Sequence, residues 1–148
     1  MTSSARRGLD SATEGHVLTT LVERARGAMT RAYAPYSNFR VGAALLAADG
    51  SITEGCNVEN AAYPVAFCAE RSALAAAVVR GVRDFRAIVI ATESDVPTPP
   101  CGMCRQALME FAPQMTVVSV CANDDAEGRW TLFELLPNAF TPSSLGVT

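Results

Sequence analysis

The sequence predicts an α/β fold in three layers, α-β-α, built on one mixed sheet of about five strands. Three observations carry this expectation. Apolar residues recur at helical spacing over 14–32, 69–79 and 102–111. Short apolar runs bounded by turn residues lie between those segments. The segments follow one another as helix, hairpin, helix, strand, helix, strand, an order that covers both faces of a sheet with helices.

Residues 1–13 are rich in Ser, Thr, Ala and Arg and read as a mobile tail, leaving 14–148 as one domain. In the first helix Val17, Leu18, Leu21, Val22, Ala25, Ala28 and Met29 form the apolar face. Tyr33-Ala34-Pro35-Tyr36-Ser37-Asn38-Phe39 is a loop by its Pro and Asn, yet it holds three aromatics. Val41–Ala47 is a buried strand, Asp49-Gly50 a hairpin turn, and 52–58 the returning strand. Segment 59–67 is irregular. The small-residue helix 69–79 stops at Gly81. A short central strand follows at 87–91, then a loop with three prolines at 92–100. The third helix, 102–111, is ended by Pro113, and the last clear strand is Thr116–Cys121. Residues 123–128 form a polar turn, and 130–136 show no period.

Composition narrows the function. The chain has 148 residues, 49% of them apolar and 18% charged, a net charge of −3 and a pI of about 5.1. That is a globular composition, and a domain of this length buries about two-thirds of its unfolded surface. The 12 basic residues are scattered rather than gathered in a stripe, so a polymeric nucleic-acid partner is disfavoured. The longest apolar run, 41–48, falls far below the roughly 20 residues of a membrane span. The N-terminus lacks the apolar segment of a secretory signal, so the cytoplasm is the expected compartment. Thiols stay reduced there, and Cys-x-x-Cys reads as metal or redox chemistry.

Of the five cysteines, Cys101 and Cys104 stand in Pro-Cys-Gly-Met-Cys, and Cys68 opens Cys68-Ala69-Glu70. Both motifs fall where a loop enters a helix. A helix N-terminus carries free N–H groups and partial positive charge, which favour the thiolate that a metal requires. Three such ligands leave one tetrahedral position open for water, the catalytic arrangement of zinc. Glu70 is placed beside that position as general acid and base. Three thiolates over-neutralise the ion. Arg71 and Arg105, each following a site residue, are expected to offset this by donating hydrogen bonds to the sulfurs. A lone Cys-x-x-Cys can also be a redox pair. Cys56 and Cys121 read as small core residues, and the single histidine, His16, as a helix-surface residue.

These residues resemble the small homotetrameric cytidine deaminases. The resemblance runs from about Ala32 to Phe140. It is carried by residues 34–43, by Gly55-Cys56-Asn57-Val58-Glu59-Asn60-Ala61, by Cys68-Ala69-Glu70-Arg71, by Pro100-Cys101-Gly102-Met103-Cys104-Arg105-Gln106, and by Leu135-Leu136-Pro137 with Phe140. It implies hydrolytic deamination of free cytidine and deoxycytidine in pyrimidine salvage. It also implies one zinc ion per subunit on Cys68, Cys101 and Cys104, proton transfer by Glu70, and a homotetramer with shared active sites.

Further roles are implied by the same resemblance. Asn57 and Glu59 look like the pair that grips the ribose 3′-hydroxyl, Phe39 like an aromatic packed on the nucleoside, and Ala69 like the residue whose backbone meets the pyrimidine carbonyl. Tyr63 and Phe140 look like residues completing a neighbouring subunit's pocket. Taken alone, Phe39 reads as well as a core aromatic, Tyr63 and Phe140 read as ordinary packing aromatics, and Asn57 and Glu59 can be turn residues. The chain departs from the family at Thr98-Pro99-Pro100, whose extra proline is expected to touch no site residue. Deamination of another cytosine compound, editing of RNA, and a non-enzymatic zinc module are the rival readings.

Overall fold

The computed structural model describes residues 14–122 and 126–147; the expected tail at 1–13 and the centre of the 123–128 turn lie outside the described residues. In chain order the elements are α1 (Glu14–Met29), β1 (Val41–Ala47), β2 (Ile52–Cys56), α2 (Ala69–Val79), β3 (Phe85–Thr92), α3 (Gly102–Met109), β4 (Thr116–Cys121), β5 (Glu127–Thr131) and α4 (Leu132–Leu135). Short 3-10 turns occupy Tyr63–Val65 and Pro142–Leu145.

The strands form one sheet in the order β2-β1-β3-β4-β5. Only β3 and β4 run parallel; the other neighbours are antiparallel. Parallel strands need a crossover, and the chain between β3 and β4 carries α3 for that purpose. β1 and β3 are buried along almost their whole length, as expected of strands covered on both faces.

Side chains alternate across the pleat, so each strand feeds two cores. Ala44, Leu46, Val89 and Val118 meet Leu21, Ala25 and Met29 of α1 on one face. Ala43, Leu45, Ile88, Ile90 and Val117 meet Ala69, Ala73, Leu74 and Ala77 of α2 and Leu108 and Met109 of α3 on the other. The result is the expected three layers. Among the described residues no helix is long and apolar enough to cross a membrane.

Several boundaries differ from the sequence reading. α1 ends at Met29 and α3 at Met109, three and two residues earlier than periodicity implies. β2 ends at Cys56; beyond it Val58 makes isolated bridges to Tyr33 and to Phe67. β3 is longer than 87–91, because Phe85 and Arg86 join the ladder. The fifth strand, β5, replaces the end of the polar turn expected at 123–128, since Glu127 and Gly128 pair with β4, and runs on into the stretch that showed no period. It is a short edge strand, largely accessible on its outer side, so no alternation of core residues marks it. α4 also lay in that stretch, although its capping box was legible: Glu134 N–H donates to Thr131 Oγ1, and the Glu134 carboxylate accepts from Thr131 N–H.

Candidate metal centre and active site

Two helix starts place the sulfurs. Cys68 is the N-cap of α2 and Cys101 the N-cap of α3, both with extended backbone angles and neither capped by a side chain. Cys104 lies one turn into α3 and is buried. Cys68 Sγ stands 3.8 Å from Cys101 Sγ, and Cys101 Sγ 3.5 Å from Cys104 Sγ. All three sulfurs fall within 4.8 Å of one another, and this is the group of possible metal ligands found among the described residues. Sulfurs about 2.3 Å from one tetrahedral zinc ion are roughly 3.8 Å apart. The donor set and its spacing therefore fit zinc.

The electrostatics of Cys68 are those of a thiol ready to give up its proton. A hydrogen bond from Cys104, opposed by burial and helped by Arg71 and Cys101, brings Cys68 down to about 5. Cys104 is correspondingly pushed up, because its proton is held against Cys68. Arg71 Nη2 lies 3.8 Å from Cys68 Sγ and 3.3 Å from the Ala66 carbonyl, with the guanidinium 4.9 Å from the Phe67 ring centroid. Arg71 thus stands where the sequence reading placed it. Arg105 does not. Its Nε donates to the Pro100 carbonyl at 2.7 Å and its Nη1 to the Leu135 carbonyl at 2.8 Å. One position beyond Cys104, the helix turns this side chain toward α4 and the loop before Cys101, away from the sulfurs.

Cys68, Cys101 and Glu70 line one cavity of about 290 Å³, at the small end of ligand sites. Glu70 is 4% exposed. Burial, with Cys68 nearby and its own backbone N–H opposing, raises its carboxyl to about 7. A carboxyl poised there can both take and give a proton near neutral pH. Ala69, fully buried between the ligand and the acid, lines the same cavity, as do Phe39, Asn57 and Glu59.

Asn57 and Glu59 have a second duty. Asn57 Oδ1 accepts from Val41 N–H at 2.8 Å, and its Nδ2 donates to the Phe39 carbonyl at 2.9 Å. Glu59 accepts from the N–H groups of Tyr36 and Ser37 and from the Ser37 hydroxyl. The latter bond is the main cause holding its carboxyl below the ordinary range. Both residues fasten the aromatic 33–39 loop over the cavity.

Tyr63 lies outside this cavity. It lines a second one of about 370 Å³ with Tyr36, Ser37, Glu59, Asn60 and Ala66, and its ring meets Tyr36 edge-on at 6.1 Å. Phe140 is 60% exposed and lines neither cavity; its carbonyl accepts from Gln106 Nε2. His16 is exposed on α1. Cys121 is buried as expected, whereas Cys56 is half-buried, its thiol 3.7 Å from the Arg31 carbonyl.

The sequence reading missed part of the wall. Ser37, Val41, Phe67 and Thr92 line the cavity, and so do Thr98 and Pro99. The Thr98-Pro99-Pro100 departure therefore does bear on the site, because the loop leading to Cys101 closes one side of it. Its nearness in sequence to Cys101 was the available signal.

The comparisons agree with this geometry. Residues 16–120 match the family described as the cytidine and deoxycytidylate deaminase zinc-binding region. The cytidine deaminase of Sporosarcina psychrophila is 45% identical over 84% of this chain and 92% of its own length. That of Halalkalibacterium halodurans is also 45% identical, over 84% of this chain and 95% of its own. The crystal structure of cytidine deaminase from Burkholderia pseudomallei superposes with a TM-score of 0.79 at 45% identity, covering 82% of this chain and 98% of the other. The Mycobacterium leprae cytidine deaminase structure gives 0.72 at 37%, with coverage of 82% and 98%. With the family match spanning both cysteine motifs and Glu70, this chain belongs to the cytidine and deoxycytidylate deaminase family.

Proposed function

We propose that this chain is a cytidine deaminase that hydrolyses free cytidine and deoxycytidine to uridine and deoxyuridine with release of ammonia. The observation that carries this reading is a buried carboxyl, Glu70, in the same small cavity as Cys68 and Cys101 of the three-sulfur cluster. Cys68, Cys101 and Cys104 hold one zinc ion, which when bound supplies the Lewis acidity that makes water a nucleophile at neutral pH.

The protein's own groups do the rest. Glu70 takes the proton of the attacking water, delivers it to N3 of the cytosine ring, and then carries a proton to the departing C4 amine. Its raised pKa suits both directions of transfer. The Ala69 backbone meets the pyrimidine carbonyl, Phe39 packs on the nucleoside, and Asn57 and Glu59 receive the ribose. Arg71 tempers the negative charge of the sulfurs.

The cavity wall supports a free nucleoside over a nucleotide. It contains the carboxylates Glu59 and Glu70 and neither lysine nor arginine, so a phosphate placed there would meet like charge without a counterion. Residues 14–148 act as one deaminase domain in cytoplasmic pyrimidine salvage. The chain assembles as a homotetramer, with Tyr63 and Phe140 completing a neighbouring subunit's site; their exposure on one copy supports that role.

The test is an ultraviolet assay on cytidine, deoxycytidine and cytidine 5′-monophosphate, with zinc counted per chain and mass measured in solution. Turnover of both nucleosides, little of the nucleotide, and one zinc per chain in a tetramer are expected. Zinc-loaded protein inert toward both nucleosides would overturn the reading.

A further inference from the structure

The segment Pro97-Thr98-Pro99-Pro100 is the second half of the loop that leads from β3, which ends at Thr92, into Cys101. Proline has no N–H, so Thr98 supplies the one backbone donor of these four residues. That donor goes to Ser119 Oγ at 2.9 Å. Ser119 is fully buried in β4, opposite Ile90 of β3. It shares the sheet face of Val117, which packs toward α2 and α3. A hydroxyl in an apolar strand is costly to bury unless it is hydrogen-bonded, and this one meets a wall of the cavity: Thr98, Pro99 and Cys101 all line it.

Glu93 ties the start of the loop to Arg40, four residues before this segment, and the bonds between there and Thr98 fold the loop on itself. Ser94 N–H donates to Thr92 Oγ1, Val96 N–H to Ser94 Oγ, and Thr98 Oγ1 to the Val96 carbonyl. Arg105 ties the far end through the Pro100 carbonyl, but from α3, the helix that itself bears the thiols. The Ser119 bond joins the segment to the sheet. Cys101 is exposed, and its own packing does little to fix it.

We propose that Ser119 is a positioning residue. By capturing the Thr98 N–H it seats residues 98–101 on β4 and holds the Cys101 thiol at zinc-binding distance from Cys68 and Cys104. This rests on the metal-centre reading above.

The test compares Ser119→Ala and Ser119→Thr with Thr53→Val, which removes another buried hydroxyl, one that accepts from Arg80 away from the cavity. Three readouts are taken: the rate of zinc transfer to a chromogenic chelator, KM and kcat for cytidine, and the melting temperature of the metal-free protein. Ser119→Ala is expected to release zinc about tenfold faster, as for loss of a group that orients a ligand, and to raise KM. Ser119→Thr is expected to restore zinc retention, and Thr53→Val to keep it while melting earlier. Zinc release from Ser119→Ala at the wild-type rate, or equal acceleration in Thr53→Val, would overturn the proposal. If Ser119→Thr does not fold, the other two variants decide. Wild-type protein that takes up no zinc would overturn the metal-centre reading and this proposal with it.

Discussion

Gly55 tests whether the sheet sets the position of the proton carrier. A Cβ at residue 55 would stand 2.4 Å from the Ala69 carbonyl oxygen, 2.4 Å from Ala73 N and 2.9 Å from Ala73 Cβ. Non-bonded heavy atoms prefer about 3.5–4.0 Å, so α2 must lift from β2 by roughly 1 Å. The opposing atoms are mostly helix backbone and cannot swing aside. Overpacking of this kind costs about 1–3 kcal/mol, here near the upper figure, which lowers the melting temperature by about 10 °C in a protein of this length. The first turn of α2 carries Cys68, Ala69 and Glu70, and a 1 Å misplacement can cost about a hundredfold in rate.

Gly42→Ala is the control. Its Cβ would fall 2.0 Å from the Ala25 carbonyl oxygen and 2.4 Å from Met29 N, lifting α1 from the opposite face, and α1 lines no part of the 290 Å³ cavity. The assay is kcat for cytidine per folded, zinc-loaded chain, alongside melting curves. Gly55→Ala should lose both stability and kcat; Gly42→Ala should lose comparable or greater stability and keep kcat within a few-fold. Equal loss of kcat in the two variants, or wild-type kcat in Gly55→Ala, would refute the reasoning.

Glu70→Gln keeps the shape of the side chain but cannot carry the proton; zinc per chain should stay unchanged while kcat falls by about a hundredfold or more, and normal turnover would remove Glu70 from the proton path. Cys101→Ala leaves two sulfurs and should lose both zinc, by elemental analysis, and activity. The pH dependence of stability has a defined sign in metal-free protein. Burial raises Glu70 from 4.5 to about 7, so the folded state binds the proton more tightly than the unfolded chain. Its contribution, about 3 kcal/mol, is complete below pH 4.5 and fades as pH rises to about 7. Denaturant titrations across that window should show the slope in metal-free wild type and its loss in Glu70→Gln. A wild-type profile with no slope beyond that of Glu70→Gln would contradict it.

The site was readable where chemistry is local. Cys101-Gly102-Met103-Cys104 and Cys68-Ala69-Glu70 each combine a donor, a helix start and a neighbour within a few residues, so spacing alone shows what they can bind. Arg71 followed the same logic, because residues three apart on a helix share a face. Arg105 did not, since adjacency in sequence puts consecutive helical side chains on different faces. Thr98 and Pro99 were not read as cavity wall despite standing next to Cys101, because the bond that joins Thr98 to the sheet goes to Ser119, a strand away and 21 residues later.

The sequence by itself determined the layers, the order of the elements as far as β4 and the chemical identity of the metal donors, because periodicity and motif spacing are properties of adjacent residues. The tertiary structure alone decided which edge β5 occupies, how Asn57 and Glu59 divide between loop and cavity, and how closely α2 approaches β2. Those outcomes depend on backbone distances between segments far apart in the chain, and an ångström there has no signature in the order of residues.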